Sequence, residues 1–182
     1  MATETIQTVI LMGPPGAGKG VQSRLLAEAW SAIHLSSGEL LRQADDPRVI
    51  AIMNEGLAVP SADFEAIMHQ VVLALPKDRS VVFDGVTIRP GEVPWMLDLL
   101  HEGGRRLDHV ILLKVDEHIT NDRANERGRH DDAKQVERWR RYREETLQSI
   151  ELYRQLGLVI EVDGTGTIAD VAARIQTALN RR

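Results

Sequence analysis

The 182-residue sequence carries 22 basic and 27 acidic side chains, a net charge of −5, and 43% of its residues are hydrophobic. These values are ordinary for one soluble globular domain with a buried core, and the acidic balance excludes a general nucleic-acid binder. The chain has no cysteine, which excludes disulfides, zinc–thiolate sites and thiol chemistry. No apolar run has the length of a membrane span and the first residues lack a signal-peptide pattern, so we expect a cytoplasmic protein without a membrane partner.

Strands and helices are predicted to alternate along the whole chain. Apolar runs predict five strands, at residues 5–12, 32–35, 80–83, 109–115 and 158–162. Helical spacing of apolar residues predicts helices at 22–30, 49–54, 62–75, 93–102, 117–127, 132–156 and 167–179, and a short helix capped by Ser36 or Ser37. This alternation predicts a single α/β domain over residues 1–182, with a parallel sheet covered by helices on both faces.

Residues 36–75 stand out because they hold three helical pieces between the second and third strands. One crossover helix is enough to connect two parallel strands. We therefore predict that this stretch contains an inserted helical lobe.

A glycine-rich turn, Gly13-Pro14-Pro15-Gly16-Ala17-Gly18-Lys19-Gly20, follows the first strand and precedes a helix. Its glycines allow successive backbone N–H groups to point at an anion, and the helix N-terminus adds partial positive charge. Lys19 adds a full positive charge that can reach terminal phosphates. Strand, turn, lysine and helix in this order predict a phosphate-binding loop.

Asp84 ends the third predicted strand, at the sheet edge where open α/β sheets bind ligands. There it is either the cap of the next helix or a carboxylate that holds Mg²⁺ through water. Most phosphate loops carry Ser or Thr after the lysine as a metal ligand, whereas this chain has Gly20. We therefore expect water, phosphates and the carboxylates of Asp84 and Glu39 to hold the metal.

Arginines are concentrated in one region of the chain, at positions 123, 127, 129, 138, 140, 141 and 143. Several fit a solvated helix face with ion pairs, namely Glu137–Arg141, Arg140–Glu144 and Arg141–Glu145. Arg123 and Arg127 instead share a helix face and repel each other, and Arg129 lies in the turn that follows. A phosphoryl group in transfer between these guanidiniums would turn the repulsion into attraction.

Seven segments in order resemble adenylate kinase and the wider nucleoside monophosphate kinase family, and they span nearly the whole chain. They are the loop 13–22, His34 to Arg42, Gly56 to Pro60, Asp84-Gly85, the pairs Asp122-Arg123 and Glu126-Arg127, Arg129 to Asp132 followed by Arg140, and Val162 to Gly166. The resemblance implies a phosphate-loop fold with strand order 2-3-1-4-5, a monophosphate-binding insertion at 36–65 and a short lid at 127–132. It also implies a monomer that binds ATP, Mg²⁺ and a nucleoside monophosphate, with AMP as the expected acceptor, and no nucleic acid.

Site roles follow from the same resemblance. The implied catalytic residues are Lys19, Arg89, Arg123, Arg129 and Arg140. The residues implied to bind ATP are Gly13, Gly16, Ala17, Gly18, Lys19, Gly20, Val21, Arg123, Arg127 and Gly166. The residues implied to bind AMP are Ser37, Arg42, Leu57, Ala58, Val59, Gly85, Arg89, Glu92, Arg129 and Arg140, and those implied to hold the metal through water are Asp84 and Glu39.

The sequence departs from the family pattern at the acceptor side. Val86-Thr87-Ile88-Arg89 replaces Phe-Pro-Arg, which puts Arg89 one residue late, and Glu92 stands where the family has an adenine-reading Gln. Val21 replaces a Thr, and the lid is short. A carboxylate at position 92 would suit a base that presents N–H donors, such as guanine. Another nucleoside monophosphate, a small metabolite as acceptor, and a nucleotide sensor without turnover therefore remain alternatives.

Overall fold

The computed structural model describes residues 6–120 and 132–181. Within them, five parallel strands form one sheet in the order β2-β3-β1-β4-β5, as the sequence predicted. The strands are β1 (Thr8–Met12), β2 (Ile33–Ser36), β3 (Val81–Asp84), β4 (His109–Lys114) and β5 (Val159–Asp163).

The central strand β1 is buried along its whole length, because it pairs with β3 on one side and β4 on the other. Its side chains alternate between two cores. Ile10 belongs to the core that also contains Phe83, and Val9 belongs to the core on the opposite face. An apolar strand with helices on both faces therefore has no polar side.

Helices cover both faces of this sheet. They are α1 (Lys19–Ala29), α2 (Ser37–Arg42), α3 (Pro47–Asn54), α4 (Ser61–Leu73), α5 (Glu92–Glu102), α6 (Asp132–Arg141), α7 (Leu147–Gln155) and α8 (Ile168–Leu179). Residues 117–120 begin a further helix. None of the helices within the described ranges is long and apolar enough to cross a membrane.

The helix predicted at 132–156 is interrupted. A π-helical segment, Tyr142–Thr146, separates α6 from α7. Such segments place one extra residue in a helix and are frequent at functional sites. The apolar spacing of the sequence fits one continuous helix, so the interruption was not predicted.

The insertion between β2 and β3 consists of α2, α3 and the start of α4. Ser36 caps α2 by accepting a hydrogen bond from the Glu39 amide, and Asp46 caps α3 in the same way from Arg48. Val49 and Val59 are buried in the core that Phe83 shares. The insertion is therefore packed against the carboxyl end of the sheet, where β1 and β3 also end.

Candidate active site

The phosphate loop connects β1 to α1 with a backbone that favours glycine. Gly18 caps α1 at φ 92°, and a Cβ added at Gly13 would meet the Leu113 carbonyl oxygen at 2.7 Å. No other residue fits the close approach at position 13 without a shift of the backbone. Free loop amides at the start of a helix can bind an anion.

Lys19 is the cation of this loop. Its Nζ donates to the carbonyl oxygens of Gly13 at 2.8 Å and Pro14 at 3.0 Å. Burial lowers the pKa of Lys19, while the carboxylate of Asp84 acts in the opposite direction and the guanidinium of Arg138 lowers the pKa further. The ammonium is therefore held by the loop itself, in the electric field of an acid from β3 and a cation from α6.

Asp84 lies at the carboxyl end of β3, next to the loop. Burial raises the pKa of its carboxyl, whereas Lys19, His34 and Arg24 act to lower the pKa. A Cβ at Gly20 would lie 3.2 Å from Asp84 Oδ2. The missing side chain at position 20 thus leaves the carboxylate room for a hydrated ion.

Glu39 faces the same region from α2. It contributes to the electrostatic environment of Asp84 and forms an ion pair with Arg24. Among the described residues, no cluster of three or more His, Asp and Glu side chains is suited to bind a metal directly. Two oxygen donors of this kind fit Mg²⁺ that keeps most of its waters, as Mg²⁺ prefers.

The start of α2 contacts the turn that follows β3. Ser37 is buried, and its Oγ donates to the Gly85 carbonyl at 2.6 Å. Gly85 adopts φ 74°, which tightens this turn beside Asp84. Arg42 Nη1 donates to the Gly38 carbonyl at 2.9 Å on an exposed surface. The two sequence segments predicted to bind the monophosphate therefore meet.

Arg89 and Glu92 form a partly buried cluster with the insertion. Arg89 Nη1 donates to the Val59 carbonyl at 2.9 Å, to Ser61 Oγ at 3.2 Å and to Glu92 Oε1 at 3.1 Å. Glu92 is 3% exposed, and its oxygens also accept from Ser61 Oγ at 2.9 Å and from the Arg89 amide at 3.1 Å. Because both oxygens are engaged, the geometry favours a positioning role for Glu92 over the predicted reading of the acceptor base.

The turn 57–59 of the insertion has one exposed and one buried residue. Leu57 is exposed, whereas Val59 is buried and its carbonyl accepts a hydrogen bond from Arg89. Ala58 lies between them. The turn is therefore fixed to the protein at Val59, and Leu57 faces outward.

Arg138 and Arg140 lie two positions apart on α6, and both residues are exposed. Arg140 is paired with Glu137 and Glu144, and its side chain is 52% exposed. These acidic partners raise its pKa. Arg138 is the arginine whose charge reaches Lys19. Residues two positions apart on a helix face directions about 200° apart, so Arg138 is a second candidate beside Arg140, whose assignment stays a prediction.

The donor side also involves the loop after β5. Gly166 follows β5 at φ 91°, and Arg174 Nη1 donates to the neighbouring Thr165 carbonyl at 2.6 Å. Gln22 Nε2 donates to the Ile168 carbonyl at 2.9 Å, which joins α1 to the first turn of α8. Val21 is among the exposed apolar residues beside the loop.

Three predicted arginines, Arg123, Arg127 and Arg129, lie outside the described residues, as does nearly all of the predicted lid at 127–132. Their assignment stays a prediction. The predicted pair Arg140–Glu144 is present, and Arg141 lies 3.6 Å from Glu137.

The comparison with protein families decides the identity of this fold and site. A sequence model of the family described as "Adenylate kinase" matches residues 11–158. This chain belongs to the adenylate kinase family. It is therefore a phosphotransferase that binds nucleotides, as its phosphate loop, strand order and insertion indicate.

Relatives in several bacteria support the same family. The chain is 33% identical to a protein named adenylate kinase from Prochlorococcus marinus (strain MIT 9211), with 94% of this chain and 96% of the relative covered. It is 34% identical to adenylate kinases from Clavibacter michiganensis subsp. michiganensis (96% and 93% covered) and Hyphomonas neptunium (95% and 98% covered). The likeness thus extends over nearly the full length of each relative.

Sequence reasoning missed the contacts of Ser61 and Glu145 with Arg89 and the effect of Arg138 on the pKa of Lys19. Arg138 stood among the clustered arginines, but a count of residues from Arg129 selected Arg140. Ser61 and Glu145 gave no signal, because their contacts with Arg89 are long-range.

Proposed function

We propose that this protein transfers the γ-phosphoryl group of ATP to AMP, in the reversible reaction ATP + AMP = 2 ADP. The observation that supports this most directly is the proximity of Lys19 in the phosphate loop to Asp84 at the end of β3, beside the hydrogen bond from Ser37 to the Gly85 carbonyl. A cationic site of this kind suits a transferring phosphoryl group, whose negative charge is spread over three oxygens. The names of the relatives support adenine nucleotides as substrates.

In this mechanism the donor phosphates bind to the amides of the phosphate loop. Lys19 would exchange its bonds with the Gly13 and Pro14 carbonyls for the phosphate oxygens, which are stronger acceptors because they are ionised. Arg138, whose charge acts on Lys19, would add positive charge to the same site. Catalysis then consists of positioning and charge neutralisation, with no covalent intermediate.

Asp84 and Glu39 would hold Mg²⁺ through water, and the ion would neutralise charge on the donor phosphates. Asp84 lies beside Gly20, where a larger side chain would crowd its Oδ2. Its buried carboxylate must be ionised to attract the ion. The enzyme therefore keeps an acid in a position where burial disfavours its charge.

The acceptor would bind between α2 and the turn 57–59. Ser37, Arg42 and Gly85 would face its phosphate, and Arg89 would fix the insertion above it. No general base is required, since the attacking phosphate oxygen of the acceptor is already ionised at neutral pH. Arg123, Arg127 and Arg129 would complete the donor side, and closure of the lid would exclude water.

A coupled assay of ADP formation tests this proposal. Purified protein, ATP and Mg²⁺ are supplied with AMP, GMP, CMP, UMP or dTMP in parallel. We expect turnover with AMP to exceed turnover with each of the others. Faster turnover with GMP would favour another monophosphate as the acceptor. ATP binding without turnover on any monophosphate would support a nucleotide sensor instead.

A further inference from the structure

One face of the helix that follows α6 contacts the loop between β3 and α5. Three side chains of this face meet three consecutive loop residues in reverse order. Tyr153 Oη donates to Thr87 Oγ1 at 3.2 Å, Ser149 Oγ donates to the Ile88 carbonyl at 3.2 Å, and Glu145 Oε2 lies 3.4 Å from Arg89 Nε. Because residues four apart share a helix face, we name Glu145, Ser149 and Tyr153 the helix ladder.

The loop that the helix ladder contacts has an unfavourable backbone conformation. Thr87 adopts φ 55° although it is β-branched, and it is fully buried. Its Oγ1 donates to the Val86 carbonyl at 2.8 Å and accepts the hydrogen bond from Tyr153. Burial raises the pKa of Tyr153, so its hydroxyl stays protonated and able to donate. Such a conformation persists only where surrounding contacts fix it.

Glu145 is the acidic member of the helix ladder. Its Oε2 is buried and makes no hydrogen bond within the described residues, so Arg89 Nε at 3.4 Å supplies its compensating charge. Arg89 uses its Nη1 for Val59, Ser61 and Glu92. The guanidinium is thus held on one side by the insertion and α5, and on the other side by the π-helical segment.

We propose that Glu145 is a positioning residue for the acceptor site. It fixes Arg89, and through Arg89 it fixes the turn 57–59 of the insertion. This inference rests on the proposed function, because it assigns that turn to the acceptor. It also gives the π-helical segment a role, because this segment carries the Glu145 carboxylate that pairs with Arg89 in the loop between β3 and α5.

Simple charge repulsion makes the opposite prediction. A carboxylate near a bound phosphate repels it, so removing the charge of Glu145 would strengthen the binding of AMP. Positioning predicts weaker binding, because an unrestrained guanidinium and turn must be ordered when the acceptor binds. The sign of the change therefore separates the two effects.

Calorimetric titration with AMP tests the proposal on the intact chain. The variants are Glu145→Ala, Glu145→Gln, Arg89→Ala and the double variant, with Glu151→Ala as the matched control. Glu151 lies on α7 and pairs with Arg154 on the surface, with a side chain that is 52% exposed. Steady-state KM values for AMP and ATP, and thermal unfolding, are measured on the same samples.

We expect Glu145→Ala to weaken AMP binding about fivefold, as loss of a partly buried ion pair does, and Glu145→Gln about twofold. The KM for ATP should stay at the wild-type value in the Glu145 variants. In Glu151→Ala, the AMP affinity and both KM values should equal those of the wild type. In the Arg89→Ala background, Glu145→Ala should add no further loss, because its effect passes through Arg89.

Unchanged or tighter AMP binding in Glu145→Gln would overturn the proposal, and so would additive losses in the double variant. An equal rise of the KM values for AMP and ATP would reduce Glu145 to a structural residue and overturn it as well. A wild-type protein that binds AMP without turnover would contradict the proposed function. The AMP titrations of the single and double variants would still decide the role of Glu145. A wild-type protein that does not bind AMP would contradict both.

Discussion

Arg138 and Arg140 provide a direct test of the site, because they lie two residues apart on α6 and carry the same charge. Both residues are exposed; the charge of Arg138 lowers the pKa of Lys19, whereas Arg140 is paired with Glu137 and Glu144. The perturbations are Arg138→Ala and Arg140→Ala. Each variant removes one guanidinium, and the two positions lie on different faces of the same helix.

The expected magnitude follows from what each guanidinium contacts. Loss of one preorganised donor to the charge of a transition state lowers kcat by about 100-fold, or about 2.7 kcal/mol. We expect this loss for Arg138→Ala, with Lys19 remaining in place to supply part of the stabilisation. Exposed ion pairs contribute little, so Arg140→Ala should change kcat less than about threefold.

The assay is ADP formation from ATP–Mg²⁺ and AMP at saturating substrates, with thermal unfolding as a check on the fold. Arg138→Lys should recover only part of the loss, since an ammonium keeps the charge but not the planar fork. The pKa of Lys19, followed by ¹⁵N-lysine NMR, should rise in Arg138→Ala because a neighbouring positive charge has been removed. A larger loss in Arg140→Ala than in Arg138→Ala would refute the reasoning and return the role to Arg140.

Three further predictions concern single residues of the site. Lys19→Met should lower kcat far more than it weakens ATP binding, because Lys19 contacts charge that moves during transfer; equal losses in titration and turnover would contradict this. Glu92→Gln should leave the AMP-to-GMP ratio of kcat/KM unchanged, because its carboxylate is buried and engaged; a shift toward AMP would restore Glu92 as a base reader. Asp84→Asn should lower activity yet raise the melting temperature at pH 7, because burial raises the pKa of Asp84 and its charge is unfavourable above that pKa. The gain should vanish as the pH falls below the pKa of an unfolded Asp, where both states are protonated, and a gain that grows in acid would exclude this cause.

The phosphate loop and the sheet were predictable from the sequence because their signals are local. The glycines and Lys19 occupy adjacent positions, and an apolar run such as Val9 to Met12 indicates a strand buried on both faces before any contact is known. Asp84 was predictable because every parallel strand ends at the same edge of the sheet. Ser36 was predictable as a helix cap from the same kind of local signal, whereas the cap at Asp46 was not predicted.

The acceptor side was not predictable to the same depth. Glu92 looked like a base-reading residue by count, but the fold buries it against Ser61 and Arg89, which lie in other segments. The extra residue between Asp84 and Arg89 is accommodated by a strained Thr87 and by Tyr153, which is 66 positions away in the sequence. No local pattern encodes a contact of that separation.

The sequence by itself determined the class of the protein. The phosphate loop, the alternation of strands and helices, and the long connection between β2 and β3 can each be recognised from residues that are close together in the sequence. Tertiary structure decided which of the clustered arginines lowers the pKa of Lys19 and which residues hold Arg89. The physical reason is the phase of a helix. Two positions along α6 change the direction of a side chain by about 200°, and a π-helical segment changes which residues of the following helix meet the loop.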